Sequence, residues 1–257
     1  MTRHKVPYLH EEQIERDAAS LLAEYEQARG IVIKPPIPIE DIVEKHLKLR
    51  VEFNDTHRLF GIPRDPEADA DILGAIILDE RRIVIDESLD PEENAFKEGR
   101  YRFTLAHEGG GHWRLHRQLL ARDPAQQSLF SKSDQPLVVC RSSQAKERIE
   151  WQADYYASCL LIPKNLLIAS WQKRFGNTHA RILKQKSRFL PPDNANDEIA
   201  CTIRSFYQQR DDEALNEFVR PFANTFQTSM VAMRVRLEKI GLLHREVPRQ
   251  QSFNTAR

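Results

Sequence analysis

Cysteine is scarce in this chain: three residues in 257 (Cys140, Cys159, Cys201), an odd number with no CxxC spacing. That excludes a disulfide framework and a cysteine-based zinc knuckle, and leaves reduced thiols partly buried in a core. An excess of charge of either sign is also lacking, with 38 Lys and Arg against 38 Asp and Glu. No whole-chain basicity therefore points to nucleic acid or to an anionic membrane, and any such binding must come from a local patch. Long apolar runs are missing too: nothing approaches the roughly 18 residues of a membrane span. The opening MTRHKVPYLHEEQ has no apolar core of signal-peptide length. The expectation is a cytoplasmic protein with no membrane partner, no internal repeat and no low-complexity tract.

What is present reads as an α+β chain, mostly helical with a small twisted sheet. Ile14, Ala18, Leu21, Leu22 and Tyr25 form one stripe of an amphipathic helix over 10–29 that stops at Gly30. Lys34-Pro-Pro-Ile-Pro breaks the chain, and a short helix (39–46) and a short strand (49–53) follow. Leu73–Leu78 and Arg82–Asp86 are β-branched runs with the pattern of a hairpin. Asp90-Pro91 opens a further helix, and 99–117 reads as a long buried one. Residues 121–143 read mostly as loop, with a short strand at 137–140, and a strong helix spans 144–161 and ends at Pro163. Beyond it, 165–189 is basic and reads as helical, 190–197 as loop, 229–240 as the last clear helix between Ser229 and Gly241, and 246–257 as a frayed tail. The division expected is an N-terminal helical segment (1–34), a catalytic domain (35–165) and a mostly helical C-terminal extension (166–257).

The chemistry concentrates in His107-Glu108-Gly109-Gly110-Gly111-His112 and in Glu150-Trp-Gln-Ala-Asp154. A zinc peptidase needs two histidines and a third ligand on the metal, an open position for water, and a carboxylate beside that water as general base. His-Glu-x-x-His meets the first need because residues four apart on a helix differ by only about 40° in direction. Here three glycines rather than two residues separate Glu108 from His112. Five residues on a regular helix mean about 140° of rotation and about 7.5 Å of rise, which would turn His112 away from the metal. Either the helix is distorted, as a π-bulge at a glycine triplet allows, or the site is broken. Without distortion, His112 and His116 become the regular pair, with no acid between them; otherwise His116 reads as an ordinary helix histidine. Glu150 and Asp154, four apart on one helical face, are either a solvated acidic turn or the third ligand and its partner; the pattern is similar to that of the thermolysin-like class, which implies that Glu150 ligates the metal and Asp154 orients a ligand histidine.

Arg102-Phe-Thr-Leu-Ala-His-Glu, Gly-His-Trp-x-x-His116 and Glu150-Trp-Gln-Ala-Asp-Tyr-Tyr-Ala-Ser-Cys-Leu-Leu-Ile-Pro163 together resemble the ImmA/IrrE family of metallopeptidases. The resemblance extends to the strand pair, the proline-rich entry and 229–242, covering roughly 35–165 and 226–243. It implies a compact zincin-like fold, with His107, His112 and Glu150 as Zn2+ ligands and Glu108 as general base for water attack on a peptide carbonyl. It also implies the substrate, a small helix-turn-helix transcriptional repressor in a phage, mobile-element or DNA-damage response. The glycine insertion departs from the family pattern.

Three further features carry hypotheses. A Cys140 thiolate in the open position of the metal would hold the enzyme latent, since zinc binds sulfur well. Tyr155 and Tyr156 are candidates for oxyanion stabilisation through proximity to the motif. The basic stretch Lys173, Arg174, Arg181, Lys184, Lys186 and Arg188 is either a solvated helical face or a site for an activating single-stranded DNA. The runner-up function is a silent peptidase-fold module that binds a repressor or nucleic acid.

Overall fold

The computed structural model describes residues 7–62, 72–120, 138–141, 148–183 and 198–245. The chain divides into two compact units, 1–167 with 225–229 and 168–224 with 230–257. Among the described residues no helix is long and apolar enough to cross a membrane. The architecture is α+β, mostly helical, with a four-stranded mixed sheet in the first unit.

The first unit opens with α1 (Glu11–Arg29), which buries the stripe read from its sequence: Ile14, Ala18, Leu21, Leu22 and Tyr25. The Gln13 side chain accepts the His10 N–H at 2.9 Å at its start, and Gly30 at φ 65° ends it in the left-handed conformation that glycine tolerates best. α2 (Ile39–Asp41) continues as a π-turn, Ile42–His46. β1 (Arg50–Asn54), α3 (Thr56–Leu59), β2 (Ile72–Ile77) and β3 (Arg82–Asp86) follow. β2 and β3 pair as the antiparallel hairpin expected, β1 adds parallel to β3, and β4 (Val138–Arg141) pairs antiparallel with β2. The sheet order is therefore β1-β3-β2-β4. The central strands bury nearly every residue, which is why they read as continuous apolar runs.

Helix α4 (Glu98–Ala106) packs on this sheet, passes without a break into a π-helix, His107–His116, and closes with a last α-turn, Arg117–Leu120. The helix expected at Asp90-Pro91 is absent. Short 3-10 turns occupy Glu87–Leu89 and Ala95–Lys97, because the Asp86 and Asp90 carboxylates accept backbone N–H groups two residues on and favour turns. α5 (Arg148–Leu161) lies against both α1 and the π-helix. The guanidinium of Arg102, 4% exposed, bonds the Glu40 carboxylate at 3.3 Å and the Ile37 carbonyl, fixing α4 to the segment that leads into α2.

The second unit takes most of α6 (Lys164–Phe175) and α7 (Glu198–Phe226), together with α8 (Met230–Lys239) and a parallel pair, β5 (Arg181–Leu183) with β6 (Leu243–Arg245). Its core is aromatic: the Trp171 and Phe222 rings stack at 5.5 Å and those of Phe175 and Phe218 at 5.9 Å. Two expectations fail here. Gly176, at φ 73°, ends α6, so 165–189 is not one helix and Arg181–Leu183 is a strand. The long helix α7, which buries Leu215, Val219 and Phe222, was not among the elements expected, because charged residues interrupt its stripe and Pro221 lies inside it. Apart from Val138–Arg141, the loop read at 121–143 lies outside the described residues, as do the loop at 190–197, the first turn of the 144–161 helix and the 246–257 tail.

Candidate metal centre

The π-helix resolves the spacing problem. Hydrogen bonding from i to i+5 sets residues five apart almost one above the other, where an α-helix would diverge them. His107 and His112 accordingly face each other, their Nε2 atoms 3.0 Å apart and their ring centroids 4.7 Å apart. The distortion runs for ten residues, well beyond a single bulge.

The glycines supply space. None of Gly109, Gly110 and Gly111 has positive φ. A Cβ on Gly109 would lie 2.7 Å from Val43, one on Gly110 2.7 Å from the Tyr156 ring, and one on Gly111 2.5 Å from Ala153 Cβ and 2.6 Å from its Cα. The widened helix is thus clasped between the π-turn of α2 and helix α5. Gly74 on β2 is excluded from carrying a side chain in the same way, since its Cβ would meet Thr104 at 2.6 Å and Glu108 at 3.5 Å.

Helix α5 brings the second motif to the histidines. Glu150 Oε2 lies 3.3 Å from His107 Nε2, and Oε1 lies 3.5 Å from His112 Nε2. Ligands about 2.0–2.1 Å from a tetrahedral zinc are about 3.3 Å from one another, so these three donors fit the face of such a tetrahedron. Asp154 Oδ1, 3.0 Å from His107 Nδ1, accepts that N–H and leaves the Nε2 lone pair facing His112 and Glu150. An assembly of acceptors this close is one a cation satisfies.

Glu108 completes the group. Its carboxylate and the two imidazoles offer ligand atoms within 4.8 Å of one another, and all three residues are fully buried. Neither carboxylate oxygen has a hydrogen-bond partner among the described residues. Burial foremost, with Glu150 and Asp154 adding to it against the opposing pull of His107, raises its pKa to about 8. A buried carboxyl without a partner costs on the order of 1–3 kcal/mol or more, the kind of cost carried at a site built to engage water or substrate.

Three residues behave differently from their sequence reading. His116 is no ordinary helix histidine: it is fully buried, with Nδ1 3.3 Å from His112 Nδ1 and Nε2 2.9 Å from Gln152 Oε1. Gln152, missed in the sequence, could have been suspected from its place between Glu150 and Asp154 in one motif. Tyr156 is withdrawn from the oxyanion role, because its buried hydroxyl donates to Asp17 at 2.9 Å. Tyr155 stacks on Trp151 at 5.8 Å on the partly exposed side of α5. Cys140 pairs in register with Gly74, and its side chain lies outside the described residues, as do Lys184, Lys186 and Arg188. Cys159 is buried in the core.

No curated protein matches the chain. A family model described as the IrrE N-terminal-like domain, Peptidase_M78, matches residues 64–189. That stretch holds the β2–β3 hairpin, the π-helix and both carboxylates of α5, while 35–63 and 226–243 fall outside it. The stretch that assembles the His-Glu-His cluster is thus matched by a metallopeptidase domain of the ImmA/IrrE type.

Proposed function

We propose that this protein is a zinc-dependent endopeptidase that cleaves a helix-turn-helix transcriptional repressor in a phage, mobile-element or DNA-damage response. The observation that carries the metal reading is the convergence of His107 Nε2, His112 Nε2 and the Glu150 carboxylate within 3.0–3.5 Å of one another, despite the extra glycine. Those three side chains would hold Zn2+, and Asp154 would keep His107 in the tautomer that presents Nε2. Zinc bound there would act as a Lewis acid toward a peptide carbonyl and lower the pKa of water beside it. Glu108, whose buried carboxyl has no other partner among the described residues, would take a proton from the attacking water and pass it to the leaving amine. The repressor substrate rests on the family resemblance of the motif residues.

Zinc content of the purified parent beside His112→Ala, with repressor cleavage measured for the parent and Glu108→Gln, tests the reading. About one zinc per chain, lost in His112→Ala, is expected. Glu108→Gln should keep its zinc and lose about 10²–10⁴ in kcat. A parent without zinc, or Glu108→Gln with undiminished cleavage, sinks the peptidase reading and favours a silent binding module.

A further inference from the structure

Three side chains, Gln152, His116 and His112, link the backbone at Pro7 to the candidate metal centre, and their donor and acceptor roles can be assigned one after another. Gln152 Nε2 lies 2.9 Å from the Pro7 carbonyl, which only accepts, so the amide nitrogen faces Pro7 and the amide oxygen faces His116. Gln152 Oε1 only accepts, so His116 Nε2, 2.9 Å away, carries the proton. A neutral imidazole has one N–H, so His116 Nδ1 is an acceptor. His112 Nδ1, 3.3 Å from it, must then be the donor, and His112 Nε2 is left as a lone pair. That lone pair points at His107 Nε2 and Glu150.

We infer that His116 and Gln152, anchored on the Pro7 carbonyl, are positioning residues that lock His112 in the Nδ1–H tautomer, the only neutral form whose Nε2 can ligate a metal. The inference rests on the reading of His112 as a ligand. It gives His112 the service that Asp154 gives His107, through a neutral relay in place of a carboxylate. All three relay side chains are fully buried, so water cannot substitute for a missing partner. Neutral imidazoles are the consistent states, since both rings are fully buried and burial disfavours the charged form. A carboxylate in place of Gln152 would also hold His116 Nε2–H, but its charge would face the Pro7 carbonyl; the amide satisfies both neighbours.

The test reads the tautomer and the metal separately. Imidazole ¹⁵N spectra of the metal-free parent should show His112 protonated on Nδ1 and unprotonated on Nε2. Gln152→Leu should mix the two tautomers and raise the zinc Kd, measured by chelator competition, about 10–100-fold, the usual cost of losing a residue that orients a ligand. Gln152→Glu, which keeps an acceptor for His116, should stay closer to the parent than Gln152→Leu. His112 protonated on Nε2 in the parent, or Gln152→Leu with the parent's tautomer and affinity, overturns the inference. If Gln152→Leu does not fold, the parent spectrum alone decides. A parent that binds no zinc removes the ligand reading, while the tautomer assignment is still decided in the metal-free protein.

Discussion

Helix α1 and the π-helix His107–His116 each owe their form to glycine, but for opposite reasons. α1 keeps a 3.6-residue stripe to its end, and Gly30 there supplies a left-handed φ of 65° with nothing within 4 Å of where a Cβ would lie. The π-helix carries its glycines in the middle, at ordinary φ, where a Cβ would run into Val43, Tyr156 or Ala153. One glycine solves a conformational problem and three solve a spatial one. The π-helix is also where titratable groups are buried: His107, Glu108, His112 and His116 are fully covered, whereas the buried residues of α1 are its apolar stripe.

The largest difference between the two helices should appear with acid in the metal-free protein. Burial foremost lowers the His116 pKa from 6.5 to about 4. The unfolded chain therefore takes up a proton that the folded chain refuses, and stability falls as pH drops from 6.5 toward 4, roughly 1.4 kcal/mol per pH unit at most. Denaturant titrations of the metal-free parent and His116→Gln across this range should show a shallower loss in the variant; equal slopes would mean that His116 is not held neutral.

Substituting the glycines sharpens the contrast. Gly111→Ala places a methyl against the backbone of Ala153 and should cost about 1–3 kcal/mol, read as a lower melting temperature. Gly30→Ala meets no atom and should cost only about 1 kcal/mol, the strain of alanine at positive φ. Gly30→Asn should recover part of that loss, because asparagine tolerates the left-handed region, whereas Gly111→Asn should be worse than Gly111→Ala. Equal responses at the two positions would remove the distinction drawn between conformation and space.

Much of this was legible in the sequence. Apolar periodicity set α1, which buries one face, while β2 and β3 were legible as continuous β-branched runs because both of their faces are buried. The residues of the His107–His112 and Glu150–Asp154 runs stood out through their chemistry, and the need for a distorted helix followed from 140°-type rotation arithmetic alone, about that angle for five residues. α7 was not legible, because Pro221 and scattered charges mask a stripe that only its aromatic neighbours complete. The end of α6 at Gly176 was missed because the basic residues beyond it suit a helix as well as a strand.

The sequence by itself determined which side chains were available: two histidines, a glutamate between them, a second acidic pair, and three glycines in a row. Whether they meet was decided only by tertiary structure. Packing α5 and the π-turn of α2 against the glycine faces holds the helix widened, and that widening brings His112 Nε2 to 3.0 Å from His107 Nε2. The roles of His116 and Gln152 depend on the same packing, since hydrogen-bond direction is a property of neighbours 36 and 145 residues apart in the chain. Local propensity cannot encode such a distance; burial against a partner element can.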